Sequence, residues 1–237
     1  MTNTQESNNQ EITVLELRNY LLKHNTADGF KKYFNAHFVA PMHNLGGFTL
    51  GQFKIDRVND RFFWFRGFKN METRIKFLNN FYVDSKTWKD FGKGANDMMI
   101  NSDNVYLLRP LVTNISANFL DASHKIVVVD FYRCNSTLDK VIALFNAEYM
   151  PFLESVGINS TTLWVSEMQE NDFPRLPVFQ DKNLLVAITS FENKKEYQLK
   201  QKLINEMSNQ LKKSMQQLIT TQNALLLIQI KKQPFKY

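Results

Sequence analysis

The chain of 237 residues contains one cysteine, Cys134, and that scarcity removes several possibilities at once. No intramolecular disulfide can form, so burial alone must hold the fold, and a lone thiol fits a reducing compartment. The four histidines are scattered along the sequence and make no His/Cys cluster at metal-ligand spacing, so neither a metal nor an organic cofactor is expected. Proline and glycine are sparse as well, at six and eight. No Gly-x-Ser-x-Gly nucleophile elbow occurs, and Gly92-Lys93-Gly94 stands outside the strand-loop-helix setting of a phosphate-binding loop. Long apolar runs are missing too. The longest, Ile126 to Val129 and Ala224 to Ile228, fall far short of the roughly 20 residues that span a bilayer. Residues 1–11 are polar and read as a disordered tail rather than a secretory signal or anchor. The expectation is a soluble, cytoplasmic protein with no membrane partner.

Large aromatics, in contrast, are plentiful, with 20 Phe, 8 Tyr and 3 Trp. Such side chains fill cores or line apolar pockets and interfaces, so an aromatic cavity is a candidate site from the start. The formal charge is +6, but between Ser190 and Tyr237 nine Lys face three Glu, which leaves the first 189 residues balanced. An excess confined to one Lys-rich helix and the tail is the pattern of a solvated helix face. No nucleic-acid module accompanies it, and nucleic acid is not an expected partner.

An internal repeat organises the rest. Phe34-Asn35-Ala36-His37-Phe38 recurs as Phe145-Asn146-Ala147-Glu148-Tyr149, 111 positions on, each followed by a proline, Pro41 or Pro151, and then by Gly46 or Gly157. The periodicity around both copies agrees. Ile12 to Tyr20 and Lys125 to Arg133 are β-branched and apolar runs that predict opening strands. Helical spacing follows: Phe30, Tyr33, Phe34, Phe38 and Leu45 from a Thr26 cap to Gly46, then Leu138, Val141, Phe145, Tyr149, Phe152 and Val156 from a Ser136 or Thr137 cap to Gly157. Hairpins come next, Gly47 to Ile55 with Arg61 to Phe68, and Thr161 to Met168 with Leu184 to Phe191. The second connection is longer and reads as a surface loop. Asn70 and Asn193 can cap second helices, Met71 to Met98 with a break at Asp84-Ser85, and Lys194 to Ile219. Closing strands are expected at Asn104 to Arg109 and Asn223 to Ile230. Strand, helix, hairpin, helix, strand is the split β-α-β order, in which four antiparallel strands carry both helices on one face. The reading is an α+β chain of two tandem ferredoxin-like units, residues 12–110 and 124–232 joined by a linker over 111–123. Their bare sheet faces would cover one another in a barrel-like pseudo-dimer.

Leu15-Glu16-Leu17-Arg18-Asn19-Tyr20, Leu50-Gly51-Gln52-Phe53 and Phe63-Trp64-Phe65-Arg66-Gly67-Phe68 carry a further signal. With Phe81-Tyr82, Thr87-Trp88, Ala95-Asn96-Asp97 and the run from Ser102 to Pro110, they make residues 12–110 resemble the NIPSNAP family of the dimeric α/β-barrel superfamily. The resemblance implies a fold more than an activity, because members of the family lack an agreed biochemical role. The wider superfamily includes cofactor-independent monooxygenases, haem-degrading enzymes and small isomerases that use a cavity between sheet and helices. No histidine falls on either second helix, from which haem-binding relatives supply their iron ligand, so a haem enzyme is not expected. The second copy has Val186-Ala187-Ile188-Thr189-Ser190-Phe191 where the first has its Trp-x-Arg-Gly-Phe run, which leaves it as a structural mate.

Alternation along the third strand puts Phe62, Trp64, Arg66 and Phe68 on one face and Phe63, Phe65 and Gly67 on the other. A guanidinium between aromatics on a buried face needs an anionic ligand or an internal carboxylate, with Glu16 or Asp97 available. One expectation is therefore a small-molecule pocket with Arg66 stabilising an enolate oxygen, His37 moving a proton, and Trp64, Phe68, Tyr82 and Trp88 binding the ligand. Tyr82 and Trp88 flank the helix break and could close over it. The competing expectation is a non-catalytic interaction protein or homo-oligomer that uses the Lys194 to Lys213 helix, with Leu199, Leu203, Met207, Leu211 and Met215 along one face.

Overall fold

The strand over Arg61–Phe68 carries buried side chains on both faces, so the sheet it belongs to must be covered twice. The computed structural model describes residues 11–112, 115–117, 119–120, 125–135 and 138–230. The first half runs β1 (Glu11–Ile12), β2 (Val14–Leu22), α1 (Ala27–His37), α2 (Val39–Asn44), β3 (Phe48–Ile55) and β4 (Arg61–Phe68). It continues through α3 (Met71–Asn79), a π-helical turn (Asn80–Asp84), α4 (Lys86–Asp97), β5 (Met99–Asn101), β6 (Val105–Pro110) and β7 (Ile115–Ser116). The second half begins with β8 (Ile126–Cys134), α5 (Leu138–Leu144), a π-helical turn (Phe145–Tyr149), α6 (Met150–Ser155) and β9 (Thr161–Ser166). It ends with β10 (Leu184–Phe191), α7 (Lys194–Asn205), α8 (Asn209–Leu218) and β11 (Ile219–Gln229).

Eight strands close into a barrel in the order β4-β3-β11-β8-β10-β9-β6-β2, with β2 pairing back onto β4. Each neighbouring pair is antiparallel. Closure leaves no free sheet edge in the ring, and β5 merely extends β2 outside it. The inward side chains, among them Leu17, Phe65, Val129, Trp164, Val186 and Leu227, make one continuous core. Helices α1 to α4 cover the outer face of the first half over Phe34, Trp64, Phe68 and Phe77. Those of the second half cover Tyr132, Phe145, Leu163 and Leu185. Gly67 is required by this packing: a Cβ there would stand 2.8 Å from Ile12 Cδ1 and 2.9 Å from Leu50 Cδ1. The result is a mixed α/β fold built on an eight-stranded barrel.

Several local expectations change. Thr26 does not cap α1 through its side chain; its Oγ1 donates to the Lys23 and Met98 carbonyls at 2.7 and 3.1 Å, tying the loop to the end of α4. Asn70 and Asn193 do cap, accepting from Thr73 N and from Lys195 and Glu196 N. Gly46 and Gly157 stop their helices with φ of +85° and +71°, in the left-handed region. The Lys194 to Ile219 helix is two helices, because Ser208 accepts from Leu211 N and starts a new one. The closing strand β11 starts at Ile219 rather than Asn223, since its polar first residues pair with β8 although their side chains face water. The Ser136 or Thr137 cap lies outside the described residues, as do residues 1–10, 231–237 and most of the interval 113–124. Burial pushes the Cys134 thiol up to about 11, so it is a packing group. Among the described residues, no helix is long and apolar enough to cross a membrane.

Phe65, fully buried inside the barrel, should cost about 3–5 kcal/mol when replaced by Ala, whereas Leu199→Ala, at a side chain 58% exposed, should stay within about 0.5 kcal/mol. Urea unfolding followed by circular dichroism measures both; equal effects would contradict the barrel core.

Candidate functional site

Antiparallel pairing of β2 with β4 sets Glu16 directly opposite Arg66 and Arg18 opposite Trp64, all on the face that looks out from the barrel towards the helices. The Asn70 cap fixes where α3 begins, and Arg74, one turn in, donates its backbone N–H to the Asn70 carbonyl and its Nε to Glu16 Oε1 at 2.8 Å. Arg66 Nε donates to Glu16 Oε2 at 2.8 Å and Arg18 Nη1 to the same oxygen at 2.7 Å. One carboxylate is thus shared by three guanidiniums, and none of the four residues is more than 1% exposed. Burial raises the Glu16 carboxyl, but Arg66, then Arg18 and Arg74, more than reverse this and hold it well below the usual carboxylate range. Three further guanidinium donors reach out: Arg18 Nε to Tyr20 OH at 2.8 Å, Arg66 Nη1 to Tyr82 OH at 3.0 Å, and Arg74 Nη1 to Asn171 Oδ1 at 3.0 Å. Arg66 also sits among four rings, with its guanidinium carbon 4.9 Å from the Phe77 centroid and 5.4 Å from that of Trp64.

Against this network, between the sheet and α1 to α4, lies a cavity of about 290 Å³. That is at the lower end of the range of small-molecule sites, about 300–1,000 Å³. Arg18 and Tyr20 form its polar end, and Phe34, Trp64, Phe81 and Phe173 are among its apolar walls. Tyr82 and Trp88 make an outer wall, their rings 4.7 Å apart in an edge-to-face contact. The π-helical turn that carries Tyr82 is the kind of insertion that redirects a side chain out of helical register. Ser85 restarts the helix by accepting from Trp88 N. Gly92 lets the indole lie flat on α4, since a Cβ there would meet Trp88 Cδ2 at 2.8 Å.

Of the side chains expected at a site, Trp64, Tyr82 and Trp88 line the cavity together. Arg66 lies one layer behind, paired to Glu16, and Phe68 packs beside it without reaching the cavity wall. Asp97, the other partner considered, is on the surface with Lys93. His37 is outside the cavity, stacked on Phe91 at 3.8 Å and touching Tyr33. Sequence reasoning missed Arg18 and Tyr20, although their period-two spacing from Glu16 puts all three on one strand face. It also missed the β9–β10 connection. Asn171 of that loop holds Arg74, and Phe173, Arg175 and Leu176 line the cavity, so the second half completes the site. The signal was the loop's extra length, which long loops often owe to function.

A second cavity, of about 470 Å³, occupies one mouth of the barrel, where the buried side-chain oxygens of Asn19 and Asn104 have no partner among the described residues. No group of His, Cys, Asp and Glu that could hold a metal occurs among the described residues.

No protein-family model and no curated protein matches the chain. Solved structures do. A candidate monooxygenase from Fusobacterium nucleatum superposes with a TM-score of 0.60 over 93% of this chain and 94% of that one, at 10% identity. An anthrone oxidase-like protein gives 0.57 over 94% of both chains at 8% identity. At these identities the likeness shows the fold alone. A NIPSNAP-like domain protein from Burkholderia xenovorans, 18% identical, covers 44% of this chain and 90% of its own at a TM-score of 0.39, too low to bear on the fold.

Replacing Glu16 by Gln leaves three buried guanidiniums without a counter-charge and should destabilise the protein by about 3–5 kcal/mol. Because the folded carboxyl is held below its unfolded value, its contribution is present above that value and is lost as pH falls towards the folded one. Wild type should therefore lose stability between about pH 5 and pH 2 more steeply than Glu16→Gln. Parallel profiles in urea unfolding would refute this assignment.

Proposed function

We propose that this chain comprises two tandem ferredoxin-like units, residues 12–110 and 124–232, the first of them NIPSNAP-like. Its role in this reading is to bind an oxygen-bearing aromatic small molecule in the cavity between the first sheet and α1 to α4. The observation that carries the proposal is the combination of an aromatic-walled cavity with a guanidinium, that of Arg18, at its closed polar end. Aromatic walls exclude water and bind a flat ring, and a buried cation fixes where its oxygen must lie.

The chemistry that such a wall suits is cofactor-independent oxygenation or isomerisation through an enolate. Arg18, rather than Arg66, would stabilise the oxygen, because of the three guanidiniums that share Glu16 it is the one in the cavity wall. In an oxygenation of the anthrone type, the substrate CH₂ and O₂ give C=O and H₂O, so the substrate supplies all the electrons. The candidate monooxygenase and the anthrone oxidase-like protein among the solved neighbours support this reading by fold, which does not by itself carry function. A homo-oligomer or a non-catalytic interaction protein is the second reading. It is favoured by α7, on which no residue is buried and Leu199 stands exposed.

Titration with a hydroxyanthrone should quench fluorescence from Trp64 and Trp88, and Ala95→Leu, which fills the cavity from α4, should weaken binding by about tenfold or more. Retained affinity in a folded Ala95→Leu protein would place the ligand elsewhere. Oxygen uptake with that substrate and no added cofactor tests the enzymatic half. Sedimentation at several salt concentrations tests the second reading, which fails if the protein is always a monomer.

A further inference from the structure

The buried cluster behind the cavity wall holds more positive charge than its own contacts compensate, and the exposed Asp103 and Arg175 that also line the cavity are of opposite sign. Arg18, Arg66 and Arg74 are all buried, and Glu16 is the only carboxylate in contact with them among the described residues. Guanidiniums remain charged at any pH at which the protein is folded, so the four groups carry two positive charges in excess. Their other partners, Tyr20, Tyr82 and Asn171, are neutral. Tyr20 does not supply the missing charge either. Burial raises its hydroxyl above the ordinary value although Arg18 opposes this.

The hydrogen-bond directions point the same way. Tyr20 and Tyr82 each use their oxygen to accept from a guanidinium, and no described residue accepts either proton. Both tyrosines line the cavity. Trp64, 1% exposed and also in its wall, has its indole Nε1 buried without a partner among the described residues. Arg18, Tyr20, Tyr82 and Trp64, the residues that carry these donors, thus line one cavity. A neutral ketone could satisfy some of these donors but would leave the charge excess in place.

We infer that the cavity recognises an aromatic oxyanion, a ring bearing a carboxylate or an ionised enol or phenol, whose charged oxygen is held by Arg18 with the Tyr20, Tyr82 and Trp64 donors around it. This rests on the reading of the cavity as a small-molecule site and names the charge state that reading leaves open. The anion completes the neutralisation that Glu16 begins, so affinity follows charge more than ring size.

The test compares matched probes by calorimetry: 2-naphthoate and its neutral isostere 2-naphthamide, with 2-naphthol as a third arm whose ionisation is followed by its ultraviolet absorption. Naphthoate should bind at least about tenfold more tightly than the amide, and bound naphthol should ionise at lower pH than free naphthol. The first result assigns the carboxylate source and the second the enol or phenol source. In Arg18→Gln the naphthoate preference should fall to near unity. Should that variant not fold, Tyr82→Phe removes one donor, leaves the ion cluster whole, and should narrow the preference severalfold. Equal binding of naphthoate and naphthamide with an unshifted naphthol overturns this inference and leaves the cavity reading standing. Failure of all three probes to bind overturns both.

Discussion

A single carboxylate, that of Glu16, is the constraint around which the first half of the molecule is arranged. It joins β2 to β4 through Arg66 and to α3 through Arg74, while Arg18 shares it from the next position on the same strand face. Buried ion clusters are seldom a net gain in stability over apolar packing, because desolvation offsets the attraction. They do make the alternatives costly. A slip of β2 by one residue would turn Glu16, Arg18 and Tyr20 into the barrel interior among Phe63, Phe65 and Trp164, where nothing could pair with them. The cluster therefore fixes register, and register fixes the place of the cavity.

Barrel closure supplies the second constraint. β6 pairs with β9 and β3 with β11, so the two halves are stitched at two seams and share one interior. That geometry explains how a loop of the second half reaches the first-half cavity. The connection leaves β9, next to β6, and crosses towards α3, where Asn171 meets Arg74 and Phe173 closes on Tyr82. The second half thus contributes to the site while keeping none of its chemistry. At the position that corresponds to Glu16 opposite Arg66, it has Val128 opposite Thr189. Its own polar group on that face, Asp130, is raised to about 6 by burial and is held by one weak bond from Gln222. One outer layer is thus built around charge and aromatics, the other around aliphatic packing.

The sequence by itself determined a good deal. Period two in Arg61 to Phe68 told which residues share a face, and both hairpin strands of the first half end within a residue of where the pattern put them. The helix stops at Gly46 and Gly157 and the Asn70 and Asn193 caps were equally legible, because each is set by contacts within a few residues. Less legible were elements decided by distant partners. β11 opens with polar residues that are strand only because β8 offers them hydrogen bonds, and Thr26 gives up capping for Met98, 72 positions away. The site divides in the same way. Trp64, Tyr82 and Trp88 were named from local pattern, and they do line one cavity. Which guanidinium faces the cavity was a tertiary decision. Glu16 can accept from all three, the rings around Arg66 enclose it, and only Arg18 is left at the wall. Local periodicity assigns a side chain to a face; which part of that face stays open depends on what the rest of the chain lays over it.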